Sequence, residues 1–374
     1  MPDSELQHTI DLLNISSSLA FISEKVISGN RITPEEGLNL YQTADLGFLG
    51  LLSNFIRDKK NGNDAYFNKN FHVEPTNICI YRCKFCSYSR KMNEEGSWQK
   101  EIDDIVDMAK AYQGKDVTEV HIVGGVHPDR DLSYYAEMVN QVRQTLPNIH
   151  IKAFSAVELE YMFKKSGVSA EKGFEMLKNA GLNSIPGGGA EIFDEKLRKQ
   201  ICPDKVSSQN WLKIHECAHQ NGILSNATML YGHIETYAHR IDHLNRLREL
   251  QDKTHGFNCF IPLKYRKANN PMSEIGEVTL IEDLKNYAVS RIFLDNFSHI
   301  KAYWPMIGKE MAQLSLSFGI DDIDGTIDDT TRIYTMAGEE ETPALTTGEL
   351  VKLIRQAKRI PVERDSLYQK VRVY

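Results

Sequence analysis

The sequence predicts an α/β fold, a (β/α)8 barrel of the TIM type with a helical extension ahead of it, on three observations. Short β-rich segments recur eight times, amphipathic stretches with apolar residues at three-to-four spacing separate them, and capping residues fall at the junctions. Strands alternating with helices build a parallel sheet. Eight units in one continuous run favour closure into a barrel over an open doubly wound sheet.

Taken in order, residues 1–66, with ITPEEGLNLYQTADLGFLGLLSNFIRDKK, read as helices preceding the barrel. The barrel is expected over 67–330, with strands in FHVEPT, EVHIVGG, HIKAFSA, NSIPGGGAEI, ILSNATMLYG, FNCFIPL, HIKAYWPM and IDDIDGT. DDIVDMAKAYQ, LSYYAEMVNQVRQTL, AEKGFEMLKNAG, SQNWLKIHECAHQNG, YAHRIDHLNRLRELQDK, IEDLKNYAVSRIFL and KEMAQLSLSFG supply the helices between them. Asp131, Ser169 and Ser207 suit N-caps, and Gly181 and Gly222 suit C-terminal stops. Residues 331–374 read as a closing helix and a tail of the same domain, since no linker or low-complexity stretch forces a second one.

With 41% hydrophobic and 25% charged residues in 374, the chain has the composition of a folded globular protein rather than a disordered one. MPDSELQHTIDLL lacks the basic and apolar regions of a signal peptide, and no apolar stretch reaches spanning length, so we expect a cytoplasmic protein with reduced thiols and no membrane partner. A net charge of -7 argues against a nucleic-acid partner, and any anionic substrate needs a local basic pocket.

Three cysteines in HVEPTNICIYRCKFCSY, Cys79, Cys83 and Cys86, follow the first strand with the spacing C-x3-C-x2-C. Three thiolates from one loop hold three irons of a cubane and leave the fourth open for chemistry. Structural zinc wants four ligands, and no second pair or H-x3-5-H follows Cys86. His72 could complete a zinc site, although a strand histidine is more often a packing or hydrogen-bonding residue. Cys202, Cys217 and Cys259 stand apart and read as buried or spare thiols.

Barrel active sites lie beyond the C-terminal ends of the strands. The cysteine loop therefore sits at the mouth, as does Gly124-Gly125 after the second strand, which reads either as a tight turn or as a close backbone approach to a ligand. PGGGAEI, Pro186 to Ile192, can present backbone amides to an anion or adenine, with Glu191 placed to accept from ribose hydroxyls. It matches neither the phosphate-loop nor the dinucleotide fingerprint. Asp321, Asp322 and Asp324 in IDDIDGT invite a divalent cation, but strand alternation turns Asp321 and Asp322 to opposite faces and leaves one inward acid, Asp322 or Asp324, as a hydrogen-bonding group.

The cysteine motif with Phe85 before its last cysteine, followed by Gly-Gly after the second strand, resembles the radical S-adenosylmethionine superfamily. Within it, HIVGGVHP, IKAFSAVE, AGLNSIPGGGAEIF, ICPDK, NATMLYGHIET, LRELQD, GFNCFIPL, LDNFSHIKAYW and FGIDDIDGT are similar to the aminofutalosine synthase family of menaquinone biosynthesis by the futalosine route. Dehypoxanthine futalosine cyclase and the synthase subunit of the deazaflavin precursor share the cysteine loop and PGGGAEI, but those relatives release free 5'-deoxyadenosine.

The resemblance implies a [4Fe-4S] cluster and S-adenosylmethionine, consumed as co-substrate, with a low-potential donor such as flavodoxin or ferredoxin. Its 5'-deoxyadenosyl radical adds to 3-[(1-carboxyvinyl)oxy]benzoate, and rearrangement and decarboxylation give 6-amino-6-deoxyfutalosine. Cofactor contacts are then expected from Phe85 (adenine), Gly124 and Gly125 (methionyl amine) and Glu191 (ribose), with Ser155, Glu158 and Arg198 as further candidates. A dicarboxylate suits charge-assisted donors, for which Lys152, Asn226, Thr228, His233 and Lys301 near strand ends are candidates, each equally explained as a satisfied core polar group. Tyr231, Tyr303 and Trp304 could stack on the benzoate or fill the core. Against the family pattern, Ser155 replaces a threonine, Thr335 a histidine, and Glu339, Glu340 and Glu341 small residues.

Overall fold

All eight expected β-rich segments form parallel strands. They are β1 (Asp64–Val73), β2 (Glu119–Ile122), β3 (His150–Ala153), β4 (Ser184–Ile185), β5 (Leu224–Tyr231), β6 (Phe257–Lys264), β7 (His299–Ile300) and β8 (Asp322–Thr326). The computed structural model describes residues 3–13, 15–326, 332–338 and 345–374; Glu339, Glu340 and Glu341 lie outside the described residues. Each strand from β1 to β7 pairs in parallel with the next. β7 reaches β8 through the bridge Lys301–Asp322, and β8 pairs back on β1.

The expected caps carry the helices between the strands. Asp131, Ser169 and Ser207 each accept from a backbone N–H in the first turn. Gly181 closes the helix Ala170–Ala180 at φ +116°, where a side chain would be strained. Four helices, Asp3–Asp11, Ser17–Ile27, Pro34–Thr43 and Leu46–Asn61, precede β1. Gly37 is close packed: a Cβ there would lie 2.7 Å from the Phe293 ring and 2.8 Å from Ile241, on two helices of the barrel's outer layer.

The C-terminal tail differs from expectation. After the helix Thr347–Gln356 the chain forms β9 (Ile360–Arg364) and an antiparallel partner β10 (Lys370–Val373). β9 pairs with the first half of β1, and β2 with the second half. What was expected as a tail is anchored by buried side chains: Arg364 Nε donates to Asp322 at 2.7 Å, and Tyr368 Oη donates to the same carboxylate at 2.7 Å.

Several imidazoles are enclosed in this framework. Burial pushes His121 and His243 down to about 3 and His150 and His219 down to about 4. Because the unfolded chain titrates near 6.5, it binds more protons than the folded one between those values, so stability is full above about pH 6.5 and falls with pH through that window. For each of His121 and His243 the loss reaches on the order of 2 kcal/mol by about pH 5. Thermal unfolding should therefore show a midpoint that drops steadily from pH 7 to 5, and a flat profile would contradict the buried neutral state.

Candidate active site

The cysteine loop is built by the segment after β1. Thr76 Oγ1 donates to the Trp98 carbonyl at 2.7 Å, and Asn77 ties Gly96 and Trp98 with its side chain. Cys79 N–H donates to Arg90 O at 3.0 Å and Ile80 N–H to Val126 O at 3.0 Å, which hold the loop against the end of β2. Cys79, Cys83 and Cys86 all face a cavity of about 270 Å³ at the C-terminal end of the barrel. Burial pushes the Cys79 thiol up to about 11, and Cys86 is raised for the same reason.

This arrangement fits a cubane better than zinc. A mononuclear site needs its ligands to converge on one ion, and among the described residues no three His, Cys, Asp or Glu side chains do so. A cubane places its thiolates on different irons, which suits three sulfurs spread along one cavity wall.

Gly124 and Gly125 line the same cavity, and their lack of a side chain is required by the cysteine loop itself. A Cβ on Gly125 would sit 2.2 Å from Ile78 O, and one on Gly124 2.8 Å from Thr76 O. Both amides are used internally, Gly125 N–H on Thr76 O at 2.7 Å and Gly124 N–H on Glu158 Oε1 at 3.2 Å. Gly125→Ala is expected to unseat the loop, costing about 1–3 kcal/mol as an overpacked site. Its readouts are a lower melting temperature and reduced iron uptake although no ligand is touched; parental values for both would remove the steric argument.

Ser155 lines the cavity and caps the helix Ala156–Lys165. Glu158 lies beneath it, taking Ser155 Oγ–H at 2.6 Å, Ser155 N–H at 2.7 Å and the Gly124 amide. Burial lifts its carboxyl to about 7 against those donors. Glu158 is therefore a brace between the ends of β2 and β3 and is not among the cavity-lining residues. Arg198, on the helix Glu195–Ile201, has the same kind of role: it donates to the carbonyls of Ala190 at 2.5 Å, Ile192 at 3.2 Å and Val206 at 2.5 Å, and so shapes the glycine-rich loop from behind.

Glu191 does reach the cavity, at φ +50°, and forms a buried ion pair with Lys205. Phe85 also lines it, with the Lys205 ammonium 5.5 Å from its ring centre. Lys205 was not anticipated, nor were Lys264 and Arg266 at the end of β6, which line the cavity too. Lys264 pairs with Asp283 at 2.7 Å, and Arg266 approaches Glu277 at 3.4 Å. Position gave a signal for the last two, since both stand at or just beyond a strand end.

The five substrate-side candidates are not among the lining residues. Lys152 pairs with Glu119 at 2.6 Å and Lys301 with Asp324 at 2.5 Å, inside the barrel wall. Thr228 Oγ1 donates to Gly187 O at 2.6 Å, and Asn226 is buried on the same strand, β5. His233 is enclosed behind the loop after β5, 3.3 Å from Glu235 and 3.2 Å from Leu230 O, and burial lowers its pKa. Tyr231 donates to Asp283 at 2.8 Å and Trp304 to Gly325 O at 3.0 Å, while buried Tyr303 packs beside Met306; these aromatics belong to the core. The acids of this cluster pair within the wall, Asp321 with Arg291 and His299, Asp322 with Arg364 and Asp324 with Lys301. His72 is buried on β1, its ring 5.2 Å from that of His121.

A segment near the C terminus covers the cavity. Glu74 accepts the backbone N–H groups of Arg332 and Ile333, both at 3.0 Å, and Ile333 and Ala337 line the wall. Thr335 bonds back to Arg332 O at 3.2 Å and is not a lining residue.

Comparison with known proteins agrees with this geometry. Residues 73–247 match the family model of the Radical SAM superfamily, and residues 254–373 that of the CofH/MqnC C-terminal region. Aminodeoxyfutalosine synthase of Thermus thermophilus is 45% identical, covering 94% of this chain and 96% of its own. That of Streptomyces coelicolor is 42% identical, covering 94% of each. The crystal structure of methylornithine synthase shares the fold at a TM-score of 0.72 with 18% identity, over 90% of this chain and 96% of that one.

Proposed function

This chain belongs to the radical S-adenosylmethionine superfamily, and we propose that it is an aminofutalosine synthase: it joins the 5'-deoxyadenosyl group to 3-[(1-carboxyvinyl)oxy]benzoate and yields 6-amino-6-deoxyfutalosine. The observation that carries the reading is the convergence of Cys79, Cys83, Cys86, Gly124, Gly125 and Glu191 on one cavity, in a chain 45% identical to an aminodeoxyfutalosine synthase along nearly its whole length. The three cysteines would hold a [4Fe-4S] cluster. Bound there with S-adenosylmethionine and reduced by a low-potential donor such as flavodoxin or ferredoxin, it supplies the adenosyl radical.

The chain's own residues position the partners. Glu191 accepts from the ribose hydroxyls, Phe85 offers its ring to the adenine, and the Gly124-Gly125 turn receives the methionyl ammonium. Val126, Val157, Leu230, Leu263 and Met306 give the cavity an apolar lining that excludes water from a reactive radical. The substrate's two carboxylates are met by Lys264 and Arg266, which line the cavity at the open end of β6 while also pairing with Asp283 and Glu277, rather than by Lys152 and Lys301, which do not line it. Arg266→Lys keeps the charge but loses the planar fork. It should raise KM for the benzoate substrate by about tenfold with a smaller change in kcat, the pattern of a lost binding contact. An unchanged KM would return Arg266 to a packing role.

The reading is tested by product analysis. After anaerobic reconstitution, mass spectrometry should find the adenosyl carbon attached to the substrate skeleton. Free 5'-deoxyadenosine as the main product would move the chain to the futalosine-cyclase or deazaflavin-precursor activities instead.

A further inference from the structure

The cysteine loop is thin between the cavity and solvent. Cys79, Cys83 and Cys86 face the cavity, whereas Ile80 and Lys84, each the next residue after a cysteine, are exposed and take no part in the lining. The backbone is pinned at both points, with Ile80 N–H on Val126 O at 3.0 Å and Lys84 N–H on Ile201 O at 2.7 Å, so what the loop presents to solvent is fixed. The cavity side is taken. Both substrates occupy it, and Ile333 and Ala337 line its wall from the segment that covers it.

The loop is cationic. From Pro75 to Asn93 the chain carries Arg82, Lys84, Arg90 and Lys91 and no acidic residue, in a protein of net charge -7. Lys84 and Lys91 are exposed, and among the described residues neither forms an ion pair. Arg90 donates to carbonyls of its own loop, Ser87 O at 3.0 Å and Ser89 O at 2.9 Å, which leave its charge in place. Arg82 stands 4.0 Å from Glu94, the acid that ends the run. Two exposed apolar side chains, Ile80 and Met92, belong to the same stretch. A small apolar contact beside uncompensated charge suits a brief, electrostatically steered encounter rather than a permanent interface.

Resting on the proposed function above, we propose that the outward face of the cysteine loop is the docking surface for an acidic one-electron carrier protein, which reduces the metal centre through the loop. One electron leaves the carrier and one enters the cluster, and no bond in this chain is made or broken. Electron transfer falls off steeply with distance, and a carrier seated on Ile80 and Lys84 touches residues directly bonded to the cluster's ligands, Cys79 and Cys83. A local cationic patch is what an acidic partner needs here, because the long-range field of a net negative chain repels it. Lys84 and Lys91 steer the encounter.

The test reverses both charges, Lys84→Glu with Lys91→Glu, in the full-length chain reconstituted anaerobically. Flavodoxin serves as the acidic carrier, and dithionite as a small reductant that needs no docking. Lys352→Glu with Lys358→Glu, the second beside Asn63 at the start of β1, makes the same change of net charge away from the loop. Calorimetric titration of the parent with flavodoxin should show binding that weakens as salt is added. The loop variant should lose about tenfold or more in affinity, and most of the salt dependence, while the control keeps both. It should also hold parental iron and reach parental reduction with dithionite, yet be reduced by flavodoxin about tenfold more slowly. Parental affinity in the loop variant, or salt-insensitive binding in the parent, overturns the proposal. So does an equal loss in the control, which would assign the effect to net charge alone. Loss of iron or of dithionite reduction in the loop variant also overturns it, since the lysines would then serve the loop's own fold. A parental chain that assembles no cluster, or that yields mainly free 5'-deoxyadenosine with dithionite, defeats the functional reading instead, so the two failures are distinguishable.

Discussion

Replacing Cys79, Cys83 or Cys86 with alanine is expected to abolish turnover, and each replacement should do so alone. The cluster these residues hold is already one protein ligand short, and the alanine variants leave two thiolates for four irons. Among the described residues no other cluster of three His, Cys, Asp or Glu side chains offers an alternative metal site. The loop itself should survive, since its shape is held by Thr76, Asn77 and the backbone bonds to Arg90 and Val126, and none of these is altered. The expected signature is therefore a folded protein with parental melting behaviour, sharply reduced iron and no product. Cys217→Ser and Cys259→Ser should keep iron and activity. An alanine variant with a full cluster and normal turnover would refute the open-iron site.

What could be read from the chain divides by whether the signal is contiguous. The cysteine loop, Gly124-Gly125 and PGGGAEI are local patterns, and the structure brings all of them to one cavity. Depth was harder. Lys152 lies within β3 and Lys301 just beyond β7, and both are tied to carboxylates in the wall, whereas Lys264 and Arg266 stand at the mouth. A shift of two residues along a strand moves a side chain by roughly 7 Å, enough to exchange a ligand contact for a buried ion pair. Glu158 and Arg198 were legible as polar residues near the site, but their partners are backbone groups supplied by other loops, which spacing alone does not reveal. The strand β9 was hidden for a related reason. Glu363 and Arg364 are buried only because distant partners lie opposite, Lys69 for Glu363 and Asp322, forty-two residues away, for Arg364.

Glu191→Gln should weaken S-adenosylmethionine binding by one to two decades while leaving iron content unchanged. The carboxylate is fixed in the cavity wall by a left-handed backbone at φ +50° and by Lys205, so it is presented to a ligand without further ordering. Loss of a charged hydrogen bond costs about 1.5–3 kcal/mol, which is the stated range in dissociation constant. The same substitution also leaves Lys205 buried without its counter-charge, and that alone destabilises the loop. Lys205→Met separates the two effects. If Glu191 acts on the ribose, Lys205→Met should reduce melting temperature while losing less cofactor affinity than Glu191→Gln, and the double variant should regain stability without regaining affinity. Equal affinity losses from the two single variants, or parental affinity in Glu191→Gln, would show that the carboxylate serves Lys205 and that the ribose is held by something else in the cavity.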